Sequence, residues 1–368
     1  MTYLALRNLL QQKFRLALSI GGVALAMMLI VFLNAFQAGI FQQVNAYLDH
    51  TPTDLVVAGE DITKMLGATS LLPAGAVDLA QGVPGIARII PIVSQFVTLD
   101  IHDKKVVTYL VGYDPELGGG PWALQAGRLP TDDGEVVLDG VMADTHGLKL
   151  GDTLEILDKD FTVVGLSEGT TSWMASFMFL EKRSAERLFL NPGMTSFLLL
   201  RLEPGADPVA VEARLRRRLR DVEILPAAVI KQNDINLMVR VFAIPLRVMT
   251  TIAFAVGTAI LGMIIYTANV ERMREYGVLK AVGAKNRHLY GLVIQQGLVT
   301  SLFGIMVGIG LAWVVAQGVM SIFPKFLVIL QPGSIGLTVL VGLLMGLLAA
   351  VLPARYMASL DPARVFRK

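Results

Sequence analysis

Four long apolar stretches, residues 16–40, 242–268, 289–319 and 333–354, restrict the possible folds more than any other feature. At a rise of about 1.5 Å per residue, roughly 20 residues of helix cross about 30 Å of hydrocarbon, and each stretch is long enough. They contain no Asp, Glu or Lys and one arginine, Arg247, near the start of the second. One such stretch could be a buried core helix; four in one chain point to membrane spans. The first differs from a cleavable signal segment, whose apolar region runs about 7–15 residues to a small-residue site. Leu16 to Ile40 is longer and passes through Asn34 and Gln37 without a clean A-x-A cleavage site, so it is expected to remain as an anchor.

Charge orients the spans. Residues 1–15 carry Arg7, Lys13 and Arg15 and no acid. Residues 269–288 carry Arg272, Arg274, Lys280, Lys285 and Arg287 against Glu271 and Glu275. The tail 355–368 carries Arg355, Arg364, Arg367 and Lys368 against Asp361. Each region nets +3, whereas 41–246 holds 27 acids and 18 bases, a net of −9. Basic residues flanking spans stay on the cytoplasmic side. Both termini and 269–288 are therefore expected inside, with 41–241 and the short 320–332 connection outside. The expected class is an α-helical membrane protein with four transmembrane helices and an α+β extracytoplasmic domain inserted between the first and second.

That domain alternates short strand-like and helical runs. Thr53–Val57, Ile89–Leu99, Val106–Val111, Glu135–Leu138, Thr153–Leu157, Phe161–Val164, Phe177–Leu180 and Phe197–Leu202 are rich in apolar strand formers and bounded by turn residues. Pro73–Gln81, Gly140–Thr145, Lys182–Phe189 and Asp207–Leu219 are expected as helices, the last capped by Asp207 with Pro208 at its first position. About 200 residues suffice for a core of one or two lobes, and Gly118–Gly119–Gly120–Pro121 is the strongest punctuation between lobes. Gly147 and Gly151, in the turn 147–152, suit positive φ.

Catalytic groupings are weak. With no cysteine and four scattered histidines (His50, His102, His146, His288), thiol chemistry is excluded and no metal-ligand pair is spaced for binding. Asp132, Asp133 and Glu135 read as a solvated turn and Asp78 as an exposed helix residue, while Ser172, His146 and Asp144 lack a nucleophile-elbow context. No stretch matches a phosphate-binding loop. The run Arg214, Arg216, Arg217, Arg218 and Arg220 lies in an acidic domain and reads as a solvated helix face rather than a nucleic-acid site. Trp122, Trp173, Phe177 and Phe179 read as core or as the lining of an apolar groove.

The most informative segment is 271–285, E-R-M-R-E-Y-G-V-L-K-A-V-G-A-K. Tyr276, Leu279 and Val282 recur at helical spacing, which suggests one apolar face among charged neighbours. Gly277 costs helix stability by about 1 kcal/mol relative to alanine, so close packing against it is expected, and Gly283 should end the helix. Two readings stay open: an interfacial helix lying on the bilayer, or a lever gripped by a partner. Before the first span, Tyr3, Leu6 and Leu10 share a face opposed to Arg7, Gln11 and Lys13, as in an interfacial helix. Gly304/Gly308 and Gly342/Gly346 have G-x-x-x-G spacing and are candidate packing seams, within or between subunits.

The order of basic N-terminal helix, span, large domain, three spans and basic tail resembles the permease subunits of MacB/FtsX/LolC-type ABC transporters, the type VII architecture, and looks closest to DevC-like exporter permeases. The resemblance rests on the 271–285 motif, on P-A-R-Y-M-A-S-L-D-P-A-R at 353–364, and on A-G-R-L-P…E-V-V-L at 126–138 and G-L-K-L-G-D at 147–152. It implies a homodimer or heterodimer of permeases in a bacterial inner membrane, with separate cytoplasmic ATPase subunits that bind ATP and Mg. This chain would bind no cofactor or metal and would not itself be an enzyme. A periplasmic adaptor or outer-membrane channel would extend such a system. Residues 269–288 would hold the coupling helix, with Glu271, Arg272, Glu275, Tyr276, Gly277, Leu279, Lys280 and Gly283 as its contact residues. Mechanotransmission by the outer domain would drive export or extraction of a lipid, lipoprotein, peptide or drug. The alternative from FtsX-like relatives is regulation of an external hydrolase without transport, and a membrane-anchored sensor or scaffold is a third reading.

Overall fold

The computed structural model describes residues 13–358 apart from Trp173 and Gly283. The expected N-terminal helix (Tyr3, Leu6, Arg7, Leu10, Gln11) and the tail beyond Ala358 lie outside the described residues. The described chain forms two compact units: residues 40–240 with 324–327, and the remainder.

In the second unit the four apolar stretches are helices long and apolar enough to cross a membrane. They are α1 (Lys13–His50), α7 (Ile244–Glu271), α9 (Asn286–Ile322) and α10 (Pro332–Ala358); the intervening labels are assigned below. The helices overrun the apolar stretches. Helix α1 continues past residue 40 to His50, and α9 exceeds 289–319 at both ends. Residues 227–238 form a further helix, α6, joined to α7 by a π-helical turn at Val239–Ala243. Hydropathy marks where a helix is apolar, not where it stops: Gln42, Gln43 and Asn45 keep the helical backbone while losing the apolar signal.

The 40–240 unit contains one ten-stranded sheet, ordered β10-β1-β9-β2-β3-β8-β5-β7-β4, with β6 paired to β7. Its strands are β1 (Leu55–Gly59), β2 (Ile86–Ile101), β3 (Lys104–Tyr113), β4 (Leu124–Gly127), β5 (Glu135–Asp139), β6 (Thr153–Ile156), β7 (Lys159–Ser167), β8 (Ser176–Glu181), β9 (Phe197–Leu202) and β10 (Val222–Pro226). Short helices α2 (Ala76–Gln81), α3 (Gly140–His146), α4 (Lys182–Leu188) and α5 (Pro208–Arg218) cover it, and α6 (Ala227–Met238) follows β10. The remaining helix, α8 (Met273–Ala281), lies between α7 and α9.

The sheet turns on β2. Residues 86–92 pair with β9, and residues 93–101 pair with β3. Pro91, which has no amide hydrogen to give, stands just before the exchange of partners. The two parts of the sheet thus share one strand, and Gly118–Pro121 is a loop between β3 and β4 rather than the divide. Strands β4 and β10 escaped the sequence reading because β4 is four residues with a register shift and β10 contains two acids or prolines in five positions (Glu223, Pro226).

Local chemistry explains the shorter elements. Asp207 accepts a hydrogen bond from Val209 N (3.1 Å) and Pro208 opens α5, as its sequence suggests. Helix α3 ends on Gly147, whose φ of 71° needs no Cβ, and Leu148 N donates to Ala143 O (2.9 Å). Leu148 then packs into the core formed by Val93, Leu110, Val136, Met142 and Met178. A second core is aromatic, with Tyr47, Tyr109, Tyr113, Phe177, Phe179 and Phe197 buried together.

Candidate functional site

Helix α7 ends at Glu271, and Arg272 alone separates it from α8. Arg272 N donates to Asn269 O (3.2 Å), and Tyr276 N to Arg272 O (3.1 Å), so one residue breaks the axis while the hydrogen bonds carry on. Nine residues make α8 about 13 Å long. Glu275 in its first turn and Lys280 in its last complement the helix dipole.

The helix has two unlike faces. Gly277 is buried, and Tyr276 is half-buried against the bundle core of Ile265, Val293, Ala354 and Met357. Burial pushes the Tyr276 phenol up, partly offset by the Arg272 guanidinium. The Tyr276 hydroxyl donates to Asn269 Oδ1 (2.8 Å). Asn269, 1% exposed, donates from Nδ2 to Ile265 O (2.7 Å) and at longer range to Gln296 Oε1 (3.5 Å) on α9. A short polar chain therefore ties α8 to the ends of two spans. On the other face Glu271, Arg274, Glu275, Val278 and Val282 are exposed, the two valines by 46% and 83%.

This corrects the expected apolar face. Tyr276 and Val282 do not share a side, because six residues at 3.6 per turn place them about 120° apart, and Val282 lies beyond the helix end. The burial at Gly277 is supplied by this chain itself. The Leu279 side chain and Gly283 lie outside the described residues. The Asn269–Tyr276 bond was missed in the sequence; its signal was an asparagine seven residues before a tyrosine, in the run Thr267–Ala268–Asn269–Val270 at the end of an apolar segment.

The glycine pairs lie between helices of the same chain. A Cβ on Gly308 would come 2.8 Å from both Ala24 O and Met27 Cβ, and one on Gly304 would overlap Val23, so this pair seats α9 on α1. A Cβ on Gly342 would meet Ile305 Cγ1 at 2.6 Å, and one on Gly346 would overlap Ser301 and lie 2.8 Å from Gly297 O, so that pair seats α10 on α9. Gly310 and Gly336 face open space.

In the 40–240 unit the groups considered for catalysis have structural partners. Glu135 accepts from Arg128 and from Thr131 N (2.9 Å), and the Arg128 contact holds its carboxyl down to about 2. Asp133 pairs with Arg187 and accepts from Ser184 (2.8 Å). Arg216 pairs with Glu212 and Glu223, and Arg214 donates to Pro84 O. No hydrogen bond joins Ser172, His146 and Asp144, and no cluster of three metal-ligating side chains occurs among the described residues. Trp122 stacks on His50 (4.6 Å) and meets Phe177 and Phe179 edge-on, while Trp173 lies outside the described residues.

Four membrane-spanning helices, a large mixed α+β domain between the first and second, and a short helix between the second and third define a polytopic membrane protein. Comparison with known proteins places it further. The MacB-like periplasmic core domain matches residues 16–218, and the FtsX-like permease C-terminal domain matches residues 247–362. The chain belongs to the MacB/FtsX-type family of ABC transporter permeases, and the α+β domain is the extracytoplasmic one. It is similar to an uncharacterized ABC transporter permease of Mycobacterium tuberculosis, 26% identical over 100% of this chain and 99% of the relative. It is also similar to the macrolide export ATP-binding/permease protein MacB of Agrobacterium fabrum, 28% identical over 45% of this chain and 26% of that protein. Among solved structures, the periplasmic region of MacB from Actinobacillus actinomycetemcomitans aligns at a TM-score of 0.39 and 16% identity, covering 52% of this chain and 97% of that one.

Proposed function

We propose that this chain is the membrane subunit of an ABC exporter or extractor, closest in type to DevC-like permeases, with both termini and α8 in the cytoplasm of a bacterial inner membrane. Two copies, or this chain and a similar one, pair in the membrane. Separate ATPase subunits bind ATP and Mg and dock on α8. The extracytoplasmic domain moves with each ATPase cycle and acts on a lipid, lipoprotein, peptide or drug outside the membrane, where an adaptor or outer-membrane channel can receive it.

The observation that carries this reading is the division of α8 into an anchored and a solvent-exposed face. A lever needs a rigid attachment on one side and an accessible grip on the other. Tyr276 and Gly277 supply the attachment. Glu271, Arg274, Glu275, Val278 and Val282 form the outward stripe, of mixed charge and apolar character. The proposed contact set therefore shifts: Glu271, Arg272, Glu275 and Lys280 remain in the docking region, Val278 and Val282 join it, and Tyr276 and Gly277 become anchors.

The test is co-purification with the ABC ATPase that this permease recruits. Val278→Asp should lower ATPase recovery at least tenfold while membrane insertion and thermal stability stay at the parent level, because the side chain is exposed. Undiminished recovery together with intact coupled hydrolysis would remove α8 as the docking element. Recruitment of a cell-wall hydrolase by the outer domain, with no substrate moved, would favour the FtsX-like alternative.

A further inference from the structure

The extracytoplasmic domain holds a mainly apolar cleft with buried polar atoms in its lining, two of which have no hydrogen-bond partner among the described residues. Its walls include Tyr47, Phe96, Tyr109 and Phe177, with Gln43 and Asp234 among the lining residues. Phe177 stacks on Tyr47 (5.8 Å) and meets Tyr109 edge-on (5.5 Å), while Phe96 tilts against Tyr109 (4.8 Å). The cavity is about 40 Å³, room for about three waters.

Among the polar side chains lining this cleft, Gln43, Tyr109 and Asp234 are each more than nine-tenths buried. Gln43 donates from Nε2 to Lys325 O (3.0 Å), which leaves Oε1 as an acceptor with no partner. The Tyr109 hydroxyl also makes no hydrogen bond among the described residues, although the Ser94 hydroxyl lies near enough to act on it. Asp234, 3% exposed, accepts from Leu66 N (3.0 Å) and at longer range from Met65 N (3.4 Å); Lys64 acts on it only through its field, and among the described residues no salt bridge to it is seen. Buried polar atoms without partners are rare and call for a reason. Here the two unpartnered oxygens and the carboxylate share one aromatic-walled slot.

We propose that this cleft binds the primary ammonium group of a small aliphatic amine. A primary ammonium presents three hydrogen-bond donors and no acceptor, which suits the Gln43 amide oxygen, the Tyr109 phenol oxygen and the Asp234 carboxylate. Aromatic walls attract a cation through their ring faces. The apolar stem would leave along Leu48, Met65 and Met174, which line the same cleft. The small volume fits an ammonium with its first methylenes and excludes bulky heads. Burial raises Asp234 to about 6, against the pull of the Leu66 and Met65 amides and of Lys64, and a bound cation would further favour its ionised form. The inference stands apart from the transport reading, since every residue it uses lies in the outer domain.

The experiment uses the full chain in phosphatidylcholine nanodiscs, with n-hexylamine titrated at pH 7.5 and binding followed by saturation-transfer NMR against empty discs. Saturable binding is expected for hexylamine and none above the empty-disc level for n-hexanol. Asp234→Asn should weaken binding at least tenfold, and Tyr109→Phe and Gln43→Leu severalfold each. Tyr109→Phe removes a hydroxyl that makes no hydrogen bond among the described residues, so its melting temperature should not fall, which separates lost binding from lost folding. Hexanol binding as tightly as hexylamine, or no binding above empty discs, would overturn the proposal. So would undiminished binding in both Tyr109→Phe and Gln43→Leu, whatever becomes of Asp234→Asn.

Discussion

The outer domain and the membrane bundle solve the packing problem with different materials. The domain's cores are large side chains: Phe179, Phe197, Tyr113, Leu110 and Met142 are each 2% exposed or less. The bundle's core mixes large side chains such as Leu261, Ile265 and Met345 with small ones, Ala26, Ala253, Ala349 and Ala350, and its helix crossings are seated on glycines. In water, burying a large apolar side chain contributes about 1.5–3 kcal/mol, so bulk is favoured. In lipid the surroundings are as apolar as leucine, and close backbone approach with van der Waals contact takes over. Substitutions of opposite sense should therefore damage the two regions, removal of bulk in one and addition of bulk in the other.

The largest effect is expected from Phe179→Ala in the domain. Phe179 is fully buried, with Tyr113, Trp122 and Phe177 around its ring. The loss should be about 3–5 kcal/mol, seen as a lower melting temperature of the domain's β-signal by circular dichroism. In the bundle Gly308→Leu comes next, at about 2–3 kcal/mol, because the added carbons meet the Ala24 carbonyl and the backbone of Met28, which cannot rotate away. Gly310→Leu, in open space on the same helix, should leave thermal stability within about 0.5 kcal/mol. Equal effects at Gly308 and Gly310 would erase the contrast between the regions.

The same contrast explains what was legible in the sequence. Apolar length and the basic flanks define the four spans without knowledge of packing, and strand-forming runs such as Phe177–Leu180 and Phe197–Leu202 stand out because both faces are buried. G-x-x-x-G spacing marks Gly304/Gly308 and Gly342/Gly346 as seams, but not their partners: which helix meets which is a property of the assembled bundle. The outward face of α8 was misread because one nine-residue helix offers too few turns to fix a phase, and the deciding bond, Tyr276 to Asn269, runs to a residue before the helix begins. The aromatic cleft was illegible for the same reason. Gln43, Tyr109, Phe177 and Asp234 come from α1, β3, β8 and α6, and only the sheet order and those two helices bring them together.

Buried charge sharpens the comparison within the domain. Burial raises Asp234 from an ordinary 3.8 to about 6, while the Leu66 and Met65 amides and the Lys64 ammonium pull the other way. A carboxyl whose folded pKa is raised stabilises the fold most below its unfolded value, and that contribution is lost as pH rises through about 6. Asparagine at 234 does not ionise. The stability of Asp234→Asn minus that of the parent should therefore increase between pH 4 and pH 8, by about 2 kcal/mol. A pH-independent difference, measured by urea titration at several pH values, would mean that the carboxylate is compensated by a group beyond those around it here.

A modest change in stability is expected where the proposed function is most exposed to test. Tyr276→Phe keeps the ring in its place against Ile265 and Val293 and removes only the hydroxyl. Asn269 Oδ1 then loses its donor in a site 1% exposed, at a cost of about 1 kcal/mol. A variant so lightly destabilised should still insert and, if α8 docks by its outer face, should still recover the ATPase. What it should lose is stiffness between α8 and the ends of α7 and α9, because the Tyr276–Asn269–Gln296 chain is interrupted at its first bond. ATP hydrolysis would then continue while the stimulation of hydrolysis by substrate, and substrate movement itself, fall several-fold. Val278→Asp is expected to do the reverse, with stability intact and the ATPase absent. If both variants fail in the same way, anchored and exposed faces are not separate parts of α8, and the lever reading loses its mechanical basis.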